Sequence, residues 1–119
     1  MRKFWCAAVA SMCIVSVVHA QDAELTAAEF DQITASPFKA RNAKSGILVQ
    51  LHLKPGGTAV ASHDYNDVGD WRRDGDAGYC VRWSKQRMDE RCSRIARRNG
   101  KLALLDKQGQ PGWWVEDDK

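Results

Sequence analysis

VGDWRRDGDAGYCVRWSKQRMDERC, residues 68–92, is the stretch that decides the fold. Gly69-Asp70-Trp71 opens an extended segment, and Asp74-Gly75-Asp76-Ala77-Gly78 is turn composition with an Asp-Gly step inside it. Past that turn, Tyr79, Val81 and Trp83 alternate with Cys80, Arg82 and Ser84, the period of a strand with two different faces. A second cysteine, Cys92, closes the stretch. Extended runs around tight turns, with a cysteine at each end of the later half, describe part of a small β-rich domain rather than an active site.

At the N-terminus, Arg2 and Lys3 precede an apolar run from Phe4 to Val18, and Val18-His19-Ala20 then gives way to polar Gln21-Asp22. A basic start, a short apolar stretch and small residues before a cut make a secretory signal peptide over residues 1–20. The run falls short of the ~20 residues needed to span a bilayer, so no stable membrane insertion is expected after cleavage. Cys6 and Cys13 lie inside this signal, and Met12 before Cys13 does not suit a lipidated cysteine. Residues 21–119 then form a single domain of just under a hundred residues, enough for one modest core. Its expected location is periplasmic or secreted, in a bacterial envelope.

Losing Arg2 and Lys3 lowers the formal charge from +3 to about +1. That balance excludes strong attraction of the whole domain to nucleic acid or an anionic membrane. Of the four cysteines, Cys80 and Cys92 remain. In an oxidising compartment an even pair reads as a disulfide. The chain-entropy model assigns a loop of this length about 3 kcal/mol.

The rest of the chain follows in order. Asp22 to Thr34 is the expected helix: Thr26 and Glu29 form a capping box, Leu25 and Phe30 a hydrophobic staple, and Ile33 continues the apolar stripe. Pro37 ends it, and Phe38–Ser45 reads as an exposed linker. From Gly46 to Lys54, Ile47, Val49, Leu51 and Leu53 alternate with Gln50, His52 and Lys54, a half-buried strand. Pro55-Gly56-Gly57 breaks it, and Thr58–His63 is the returning strand. Asn99-Gly100 is a two-residue turn, Leu102, Leu104 and Leu105 lie beyond it, and Trp113-Trp114-Val115 is a closing strand.

Ser84–Gly100 admits two readings. Met88, Cys92 and Ile95 recur at helical spacing, which would gather Arg87, Arg91, Arg94 and Arg98 into one basic stripe. A hairpin turning near Gln86 instead sets Cys80 opposite Cys92 and Arg82 opposite Glu90.

Five motifs in order, Leu-Lys-Pro-Gly-Gly-Thr (53–58), Gly-Asp-Trp (69–71), Tyr-Cys-Val-Arg-Trp (79–83), Arg-Cys (91–92) and Asn-Gly (99–100), resemble a family of small secreted proteobacterial proteins classed as a domain of unknown function. The likeness spans Leu25 to Gly109, departing at Asp70, where the family tends to have Thr, and at Tyr79, where it tends to have Leu. It implies a mainly β fold: an antiparallel meander or small barrel-like sheet with one disulfide, to which the N-terminal helix is added. Together with the cysteine register it favours the hairpin for 84–100. It implies no chemistry.

Enzymes show a nucleophile with its base, paired carboxylates, or metal-ligand spacing, and none stands out here. Ser62-His63-Asp64 is not a triad, whose members meet in space rather than as neighbours in sequence. His52 and His63, with Asp64, are a weak metal candidate; two solvent-facing histidines are the stronger reading, and no cofactor is expected. Trp71 and Trp83 read as core, whereas Trp113 and Trp114, neighbours on a strand, must face opposite sides. Arg87, Arg91 and Arg94 with Trp113 or Trp114 have hot-spot composition. The expectation is therefore a monomeric, non-enzymatic interaction module for an envelope component or protein partner. The alternative is a periplasmic carrier of a small ligand or metal, marked by an apolar cavity where the module would have a solid interior.

Overall fold

The computed structural model describes residues 23–85 and 89–116. Among these residues one helix, α1 (Ala27–Thr34), precedes eight strands: β1 (Phe38–Asn42), β2 (Leu48–Leu53), β3 (Thr58–His63), β4 (Asp67–Asp74), β5 (Gly78–Trp83), β6 (Arg91–Arg98), β7 (Lys101–Leu105) and β8 (Pro111–Glu116). Each strand pairs antiparallel with the next, and β8 returns to β1, so the sheet closes into an eight-stranded barrel.

The strands form where side chains alternate. In β2, Val49, Leu51 and Leu53 are buried and Leu48, Gln50 and His52 are not. In β3, Ala59 and Ala61 are the buried pair. These inward residues join Tyr79, Val81, Ile95 and Leu104 in the main core. Asn99 and Gly100 both take positive φ (55° and 78°), the two-residue turn that matches strand twist, and they link β6 to β7. At Gly69, an added Cβ would strike the carbonyl oxygen of Arg82 on the facing strand, so only glycine lets β4 and β5 approach.

The hairpin reading of 84–100 holds for the strand pairing, while the turn expected near Gln86 lies outside the described residues. β5 and β6 pair with Cys80 opposite Cys92, and the two are bonded with their Cα atoms 3.9 Å apart. The partner of Glu90 differs from expectation. Arg72, on β4, holds it in a two-pronged ion pair at 2.9 and 3.1 Å, while Arg82 acts on it only at longer range.

Phe38–Ser45 is not a linker. Its first five residues are β1, which pairs with both β2 and β8 and closes the barrel. The strand escaped the sequence pattern because its inward side offers only Phe38 and Ala40, while Lys39, Arg41 and Asn42 make it look solvated. Backbone pairing on two sides supplies what the side chains do not. Arg41 reinforces the seam through a bidentate pair with Glu116 at 2.7 and 3.3 Å.

α1 begins at Ala27, with the expected cap: Thr26 accepts from the Glu29 amide and Glu29 accepts from the Thr26 amide. The residues before it are used differently from a helical turn. Leu25 donates to the carbonyl of Ile95, and Arg97 donates to that of Ala23, so 23–25 run beside β6 as a short strap. Leu25 and Phe30 are both buried in the core. Arg73 lies 4.0 Å over the Phe30 ring and pairs with Asp31, while Arg97 pairs with Glu29. The helix thus closes the barrel end where β4 finishes and β5 begins.

Candidate functional site

The other end is open among the described residues. There β1, β3, β5 and β7 finish and β2, β4, β6 and β8 begin, and between them lies a cavity of about 260 Å³. Its size follows from the inward residues. Ala40 and Ala61 are small, and Val49 and Val81 are short, so the walls do not meet across the lumen. Eight strands make a barrel whose interior is either filled by side chains or able to hold one small ligand. Here the lower half, around Phe30, is filled and the upper half is not. Two tryptophans, Trp83 and Trp113, stand at the rim with Ile47 and Tyr65.

Below the rim, where Tyr65 stands, the polar side chains Tyr79, Ser93 and Arg91 touch this apolar space. Tyr79 and Ser93 face each other across β5 and β6 and are hydrogen-bonded. Burial pushes the Tyr79 phenol up to about 12, against the opposing pull of Ser93, so it stays neutral at ordinary pH. Arg91 pairs with Val81, one inward position nearer the opening. It is exposed, and among the described residues it is the one charged side chain on the cavity wall.

The rim loops are held by carboxylates. Asp67, almost wholly buried, accepts from the Tyr65 hydroxyl at 2.7 Å, the Val68 amide at 2.7 Å and the Lys85 amide at 3.1 Å. Burial is the largest influence on its carboxyl and acts upward, but these hydrogen bonds and the Lys85 charge together hold it below the usual range. It clamps the β3–β4 turn to the segment leaving β5. Asp64 does the same for the start of β2: it accepts from the Leu48 amide at 2.9 Å, which with His63 keeps its carboxyl low.

The residues expected to form a contact surface are divided. Arg91 and Trp113 turn toward the lumen; Arg94 and Trp114 turn outward. Arg94 is paired with Glu24 of the strap at 2.8 Å, and Trp114 covers Ala96, Ala103 and Leu105 on the outer wall. Arg87 lies outside the described residues, as does the expected signal peptide. His52 sits opposite Val60 and His63 opposite Val49, so roughly 10 Å of strand separates them and they do not converge. Among the described residues the grouping that could ligate a metal is Asp74 with Cys80 and Cys92, but both sulfurs are engaged in the disulfide.

The cavity itself was not read from the sequence, though a signal for it existed. Once Cys80 is set opposite Cys92, Tyr79 must face Ser93 and Val81 must face Arg91. Inward Tyr79 and Val81 therefore carry Ser93 and Arg91 inward with them.

The site and fold define a closed antiparallel barrel with one plugged end and one open, apolar end. Compared with known protein families, characterised proteins and solved structures, the chain matches none. The likeness to small secreted proteins is carried by the five motifs alone.

Proposed function

We propose that this protein is a non-enzymatic binding barrel of an exported compartment, which holds one small apolar molecule in the open end of its interior. The apolar cavity between Val49, Leu51, Val81, Leu104, Trp83 and Trp113 carries this reading. Water in such a space finds few hydrogen-bond partners, so an apolar occupant is favoured over it. About 260 Å³ lies just below the range usual for drug-sized ligands, which restricts the occupant to something smaller. The geometry favours this carrier over the interaction module, because the arginines and tryptophans that suggested a partner surface face two sides of the wall. The disulfide accords with export.

Octan-1-ol, a neutral probe of suitable size, tests the reading. Calorimetric titration is expected to give one site with a negative heat-capacity change, accompanied by altered emission from the rim tryptophans. Ala61→Phe fills the lumen and should abolish binding while leaving the far-ultraviolet circular dichroism of the barrel intact. No saturable heat with the native protein, or undiminished binding by a folded Ala61→Phe variant, overturns it.

A further inference from the structure

We infer that the ligand is an amphipathic anion, its apolar body in the lumen and its charged head at the Arg91 guanidinium; this rests on the cavity being a binding site. Arg91 is placed by strand register, not by loop conformation. It sits opposite Val81, directly toward the mouth from the Tyr79–Ser93 pair, and it lies on the cavity wall. Three carboxylates of this end are committed elsewhere. Its chain neighbour Glu90 is held by Arg72, Asp67 is wrapped by three donors, and Asp64 is bonded to the Leu48 amide. Arg41, Arg72, Arg73, Arg94 and Arg97 each have a carboxylate partner, whereas no ion pair forms at Arg91 among the described residues.

Among the described residues no acidic side chain lines the cavity, so an anion seated inside faces one positive charge on the wall and no negative one. The floor offers hydroxyls already bonded to each other, which suits an uncharged tail end rather than a second charged group. A guanidinium presents paired N–H donors in the geometry of a carboxylate or a phosphate monoester. A molecule with a single such head and a compact hydrocarbon body satisfies every feature of the wall.

The experiment compares octanoate with octan-1-ol, two probes sharing one apolar body, by competition and calorimetry on the native protein and on Arg91→Gln. Octanoate is expected to bind about fivefold more tightly than the alcohol, the preference shrinking as salt is raised. Arg91→Gln should erase that preference while leaving octan-1-ol affinity within about twofold, and Arg91→Lys should restore part of it. Octyl phosphate in parallel distinguishes the two head groups, and preference for either over the alcohol supports the assignment. Equal binding of alcohol and anions to the native protein, unchanged in Arg91→Gln, overturns the anion assignment and leaves the cavity reading standing. Failure of every probe overturns the cavity reading itself.

Discussion

Asp67 shows how one side chain can fix an opening. It has little contact with solvent, yet it remains charged because three donors converge on it from the β3–β4 turn and the start of the β5–β6 connection. Replacing it by asparagine turns an amide N–H₂ toward a site built from donors and removes the charge they stabilise, so Asp67→Asn should lower the unfolding temperature at neutral pH. The sign of the pH dependence follows from the depressed carboxyl. Its contribution is complete above the ordinary carboxylate value near 4 and is lost as pH falls through the lower folded value. Thermal melts of both proteins from pH 7 to pH 3 should therefore converge on acidification. A gap that stays constant would show that Asp67 acts by shape and not by charge.

Among the elements, the β5–β6 pair carries the covalent bond. Cys80 is buried and Cys92 exposed, on the outer face of the barrel, twelve positions apart in sequence. Removing both as Cys80→Ala with Cys92→Ala should cost about 3 kcal/mol, or a melting temperature lower by on the order of 15 °C. Reduction of the native protein should produce a similar loss, and an unchanged melt in either case would refute a stabilising role. β5 was legible in its period-two alternation, but β6 was not: Met88, Cys92 and Ile95 recur at helical spacing, and only the cysteine register together with the family resemblance favours the hairpin. α1 was legible through its cap and staple, although residues 23–25 spend their backbone groups on β6 rather than on a helical turn. β1 was not legible. Lys39, Arg41 and Asn42 carry no hydrophobic period, and the strand exists because β2 and β8 offer backbone partners on both sides. The cavity hid for a related reason: empty volume comes from Ala40 and Ala61 being small on the strands that flank β2, which is a property of packing rather than of any local pattern.

At the scale of the whole molecule, the seven hairpin connections are local and the last pairing is not. Arg41 and Glu116, which clasp β1 to β8, are 75 positions apart. All-β topologies with such a contact fold in milliseconds to seconds. Stopped-flow refolding, followed by emission from Trp113 and Trp114 on β8, should fall in that range. Completion within microseconds would mean that the seam is not part of the barrier. The seam also orders events when the chain is made. β1 emerges first, and the strand that completes it emerges last. Until then the nascent protein is an open ribbon with two bare edges, each offering unpaired amides and carbonyls to any neighbour. The lumen comes into being only after β8 arrives, so it belongs to the closed barrel and to no fragment of it.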